Sequence, residues 1–99
     1  MADKRLNVKI FHFQKGRAAN YEGYFIMDST DPKLAEIKKE INRATIELPK
    51  YQLLITTAEG AAYQVRDCWI DKLEFEKNKY ELTKCYFVSN DVSTIEPTS

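Results

Sequence analysis

The chain has 99 residues, 43% of them hydrophobic and 12% aromatic, with three glycines and three prolines. A chain of this length supports one hydrophobic core, and its composition excludes a linker or a disordered segment. Its 15 basic and 15 acidic residues cancel, which counts against a chain built wholly for nucleic acid.

The balance is uneven along the sequence. Residues 1–17 hold Lys4, Arg5, Lys9, Lys15 and Arg17 against Asp3 alone, a net +4, and leave a net −4 for the remainder. Such asymmetry marks either a nucleic-acid-binding end or complementary surfaces that meet between copies of the chain. The N-terminal MADKRLNVK is charged from its third residue, and the longest apolar runs, YFIM and CYFV, are four residues. Neither a signal peptide nor a membrane span fits, so the expectation is a cytoplasmic protein with no membrane partner. Cys68 and Cys85 are too few for a disulfide framework and read as free thiols of the core.

RLNVKIFHFQ begins as a strand, with Leu6, Val8 and Ile10 on one face and Asn7 and Lys9 on the other. Phe11 and Phe13 break that phase, which calls for a bulge or for a strand covered on both sides. His12 follows Ile10 to the margin of the core, with one ring nitrogen hydrogen-bonded. KGRAAN is a turn, and YEGYFIMD is the second strand, in which Gly23 marks a bulge or a close backbone approach. In STDPKL, Ser29, Thr30 or Asp31 caps a helix, and Pro32 suits its first turn because no intrahelical partner awaits an N–H there. Leu34, Ile37, Ile41 and Ala44 form the helix's apolar stripe, and Pro49 bars its continuation. Beyond it, YQLLITTA, a turn at EGAA, YQVRDCWI, a bend at DK, LEFE, a turn at KNK and YELTKCYFVS read as antiparallel strands. Residues 92–99 read as a polar C-terminal tail.

The expected fold is a single α+β domain over residues 1–99, in the order ββαβββ, with one amphipathic helix against an antiparallel sheet of about five strands. One helix covers one face of such a sheet. The sheet must therefore curl into a barrel, or bury its other face against something else.

Chemistry is sparsely encoded. His12, Cys68 and Cys85 lack the paired short spacing of zinc ligands, and no glycine loop for phosphate or HExxH motif occurs, so no metal or cofactor is expected. Glu74 and Glu76 alternate with Leu73 and Phe75, as on a wet sheet face over a core. The one enzymatic arrangement is a small metal-independent nuclease built from His12, Lys15, Arg17 and a tyrosine, in which the histidine transfers protons and the basic groups hold phosphate charge. No motif assigns a pair of catalytic roles, so the chain reads as non-enzymatic. The candidate contact surface is the first hairpin, where Phe11, Phe13, Tyr21 and Tyr24 surround Lys15 and Arg17. It suits a partner protein, or bases of a single-stranded nucleic acid stacked on the rings.

From Phe25 onward the order of features resembles phage tail-tube proteins and the haemolysin-coregulated tube proteins of type VI secretion. FIMDSTDPKL resembles the strand, cap, proline and leucine that enter that family's helix. QLLITTAEGAAYQVRDCWIDKLEF resembles its hairpin of two long strands, and YELTKCYFVSND its final strand. The resemblance implies subunits that close into rings by sheet-to-sheet pairing, and a place in a virion or secretion tube. Together these readings describe an assembly or protein-interaction module acting through sheet edges, its partner either itself, as a homo-oligomer, or another protein. The alternatives are a small monomeric inhibitor-type protein with one protein target, and a binder of single-stranded nucleic acid through the first hairpin.

Overall fold

The computed structural model describes residues 2–95. The strands are β1 (Ala2–Val8), β2 (Ile10–Lys15), β3 (Tyr21–Asp28), β4 (Tyr51–Thr57), β5 (Ala62–Glu76) and β6 (Lys79–Ile95), and helix α1 (Pro32–Arg43) lies between β3 and β4. They form one sheet of six strands in the order β1-β4-β5-β6-β3-β2. The α+β class expected from the sequence holds. Three finer expectations do not: the strands number six, the β1–β4 pair is parallel, and the sheet stays open.

All three corrections have one cause, a bend at Lys9. It divides RLNVKIFHFQ into β1 and β2, which follow each other in sequence but lie at opposite edges of the sheet. The sheet therefore folds over until its two edges meet at this bend, where the Lys9 N–H donates to the Ile26 carbonyl at 2.7 Å. No ladder joins β1 to β2, so the barrel does not close. The bend also explains the phase break, since Leu6 and Val8 are buried before it and Phe11 and Phe13 face the same core after it.

A second corner lies in the long β5–β6 ladder. Val65 and Cys68 are both buried although three residues apart, as are Ser89 and Val92 opposite them. A regular strand alternates faces with period two, so both strands must flip here. Asp67 takes φ 47° at the flip. The Ser89 hydroxyl donates to the Arg66 carbonyl at 2.6 Å, and the Asn90 amide donates to the Asp67 carboxylate at 2.5 Å. These side chains satisfy polar groups that the kink takes out of the ladder.

The two corners divide the sheet into halves whose inner faces share one core, including Leu6, Leu53, Ile55, Phe25 and Phe87. Helix α1 closes one gap between the halves. Asp31 caps it, accepting from the Lys33 N–H at 2.9 Å, with Pro32 next, and Leu34 and Ile37 are fully buried. Lys4 on β1, its side chain only 8% exposed, reaches Glu36 at 3.1 Å and Glu40 at 3.2 Å. The Tyr51 hydroxyl on β4 donates to the Glu40 carboxylate at 3.1 Å. Across the gap, the Lys38 ammonium sits 5.8 Å from the Phe75 ring centre on β5.

The turns follow their chemistry. Gly60 takes φ 93° between β4 and β5, and Asn78 takes φ 62° between β5 and β6, a conformation that glycine and asparagine adopt most readily. The bend expected at Asp71–Lys72 is a bulge within one continuous β5, where the register with β6 shifts between Ile70 and Lys72. Val92 to Ile95 belong to β6 instead of a tail, and residues 96–99 lie outside the described region.

Candidate functional site

The gap opposite the helix has no such cover among the described residues. It is filled by aromatic rings from both halves of the sheet: Phe11 and Phe13 from β2, Tyr21 from β3 and Tyr63 from β5. Phe11 lies 4.7 Å from Tyr63 and 5.6 Å from the buried Phe87, with its ring nearly parallel to the latter. Phe13 meets Tyr21 edge-on at 5.8 Å and Tyr63 edge-on at 6.0 Å. All four partly buried rings keep a share of their surface in solvent. This is the mouth of the fold.

The outer edge of β2 borders that mouth. Its register with β3 is one to one, from Ile10 opposite Ile26 to Lys15 opposite Tyr21. The Gly16 N–H donates to the Asn20 carbonyl at 3.1 Å, which fixes the phase of the ladder. Even-numbered residues turn their N–H and C=O toward β3, and Phe11, Phe13 and Lys15 turn theirs outward. Among the described residues no strand pairs with that side.

Gly23 explains how β2 lies so close to β3. A Cβ at this position would fall 2.0 Å from the His12 carbonyl oxygen and 2.8 Å from the Phe13 Cα, so any side chain would collide with backbone. The close approach read from the sequence is present. Phe13 and Phe87 flank Gly23 in the ladder.

The structure divides the six contact residues expected from sequence. Phe11, Phe13 and Tyr21 gather at the mouth, and Lys15 and Arg17 stand exposed at its rim. A shallow cavity there is lined by Lys15, Arg17, Asn20, Tyr21, Asn90 and Asp91. The loop is anchored where the Asn20 amide donates to the Asn90 carbonyl at 2.9 Å. Tyr24 lies on the opposite face, beside His12 at 5.3 Å and Tyr86 at 6.2 Å. There the Lys84 ammonium sits 4.2 Å from the Tyr24 ring centre and 5.1 Å from that of Tyr86. The Tyr86 hydroxyl donates to Glu74 at 2.8 Å and holds that carboxyl below its usual range.

His12 is exposed on this outer face, a correction to the core-margin position expected for it. The Lys9 bend turns Ile10, 50% exposed, and His12 outward together. Cys68 and Cys85 are free and buried, and burial pushes each thiol up to about 12. Both are protonated at neutral pH. Tyr63, the residue that completes the mouth, was not singled out from sequence, although its phase with the buried Val65 in YQV was the available signal. No helix among the described residues is long and apolar enough to cross a membrane. Comparison with protein families, with curated proteins and with solved structures finds no match to this chain.

Proposed function

We propose that the chain is a non-enzymatic assembly or protein-interaction module that acts through its sheet edges, chiefly that of β2. One observation carries this reading: the outward N–H and C=O groups of Phe11, Phe13 and Lys15 lie beside a mouth of partly buried rings that no element among the described residues covers. A strand laid along β2 satisfies those backbone groups and covers the rings in one step, which is how extended segments bind exposed sheet edges. Self-assembly into a phage- or secretion-tube-like structure is the sharpest form of this proposal, and a monomeric inhibitor-type protein with one target is the other. The module works in the cytoplasm, or in a virion in its tube-like form. Single-stranded nucleic acid has less support. Phe11, Phe13 and Tyr21 pack against the core, and Lys84 already occupies the region over Tyr24.

Light scattering behind size exclusion, over about a hundredfold range of concentration and at low and high salt, separates the two forms. A species that grows with concentration supports self-assembly, and a constant monomer supports the single-target form. Lys15→Pro is the control, because the Lys15 N–H faces outward and its loss leaves the ladder to β3 in place. If every association of the wild-type protein survives in Lys15→Pro, the β2 edge is not the contact.

A further inference from the structure

The edges of this sheet are not equivalent. β1 is tied to α1 through Lys4. Among the described residues β5 has no second neighbour beyond Cys68, but Asp71 bulges out of its ladder with β6, and a charged bulge is a device by which proteins keep edges from pairing. β2, with the sequence IFHFQK, has no bulge and no proline, and its only lysine is its last residue.

The charge along β2 itself is one-sided, although Asp91 lines the shallow cavity with Lys15 and Arg17 and Glu22 lies opposite Gln14. From Lys9 to Arg17 the chain carries Lys9, Lys15 and Arg17 and no acidic residue. Lys9 stands 4.0 Å from Asp28, whereas Lys15 and Arg17 meet no carboxylate within ion-pair distance among the described residues. A second copy offering its own β2 would bring like charges together, which disfavours pairing. The complement of this edge is an acidic strand.

We infer that β2 takes up an extended acidic segment of another protein as an added antiparallel strand, which rests on the interaction reading above and names the partner's chemistry. The ladder phase dictates the pattern of the segment. Residues opposite Phe11, Phe13 and Lys15 exchange both backbone hydrogen bonds with them, and their side chains fall on the mouth face. Those opposite Phe13 and Phe11 are apolar and cover the rings beside Tyr63. Those opposite Lys15, and beyond it toward Arg17, are acidic. Read from the N-terminus, the segment runs acidic, any, acidic, any, apolar, any, apolar.

The probe is a fluorescent peptide, Glu-Glu-Glu-Thr-Val-Thr-Val-Thr, whose first valine falls opposite Phe13, titrated with the full chain and read by anisotropy. Its controls are the same peptide with lysine for each glutamate, the glutamate peptide N-methylated at that first valine, and an oligothymidylate. The wild-type protein binds the glutamate peptide, and the lysine peptide and the N-methylated peptide each bind roughly tenfold more weakly or worse. Lys15→Glu with Arg17→Glu, both at exposed positions, reverses the preference to the lysine peptide while circular dichroism stays unchanged.

Equal binding of the N-methylated peptide would reduce the contact to charge adsorption and overturn the strand assignment. Binding of neither peptide would overturn it too, as would oligothymidylate binding that the double variant abolishes. Self-association that Lys15→Pro abolishes would make a second copy the occupant, overturning the acidic partner while leaving the interaction reading in place. If neither peptide binds and Lys15→Pro changes no association, both fall.

Discussion

Gly23 fastens β2 to the sheet, and Gly23→Ala tests that attachment. The new Cβ would fall 2.0 Å from the His12 carbonyl oxygen and 2.8 Å from the Phe13 Cα, whereas carbon atoms in contact settle at about 3.5–4.0 Å. The obstacle is backbone, so no side-chain rotation relieves it. Complete detachment of β2 would forfeit the ladder bonds of Ile10, His12 and Gln14 at about 1 kcal/mol each. It would also lose the burial of Phe11 and Phe13, at most about 1.5–3 kcal/mol per ring. Distortion of a packed region costs about 1–3 kcal/mol and is the cheaper route. Alanine returns about 0.4–1 kcal/mol by stiffening the unfolded chain, which leaves a net loss of roughly 1–2 kcal/mol. For a domain of this size that lowers Tm by about 4–16 °C, read by circular dichroism, with faster amide exchange at His12 and Gln14. A Tm within about 2 °C of wild type, with His12 and Gln14 protected as before, would refute the close approach of β2 to β3.

Phe87→Ala removes a fully buried ring between Phe11 and Phe25 and costs about 3–5 kcal/mol. Phe11→Ala, at the half-exposed mouth, costs less, and denaturant titration of both variants checks the order. Lys4→Met breaks the contacts to Glu36 and Glu40 and lowers Tm. Glu36 accepts from Lys4, which holds its carboxyl below the usual range. The stability from this pair is therefore present above the ordinary glutamate pKa and lost as pH falls through the depressed one. In Lys4→Met the acid side of the stability-pH curve is flatter; an unchanged acid limb contradicts the pairing. Cys68 and Cys85, buried and pushed up to about 12, react with a disulfide reagent at pH near 8 only after denaturation, and rapid native labelling of either contradicts its burial.

Local signals carried much of this architecture. Asp31, Pro32 and the Leu34–Ile37–Ile41 stripe announced the helix, and the turns at Gly60 and Asn78 sat where their residue types required. The phase break between Ile10 and Phe11 was visible too, but its consequence was not. A bend and a bulge leave the same mark in sequence, and only pairing partners far along the chain show that β1 and β2 go to opposite edges. The corner at Asp67 and Asn90 was hidden for the same reason, since a flip in both strands at once leaves their register unchanged. At the site, alternation placed Phe11 and Phe13 together, but Tyr24 was grouped with them although, three residues from Tyr21 along β3, it falls on the other face. Alternation did not place Tyr63 across the mouth, because that contact exists only once the sheet has folded over.

Amide hydrogen exchange along β2, read residue by residue in the free protein at low concentration, shows whether its outer edge is open. With the edge open, exchange alternates: His12 and Gln14, bonded to β3, exchange slowly, and Phe11, Phe13 and Lys15, facing outward, exchange fast. Addition of a strand-forming partner slows that second set. Uniform slow exchange across all five residues, independent of concentration, would mean that the β2 edge is already covered, and would contradict the proposal that it waits for a partner.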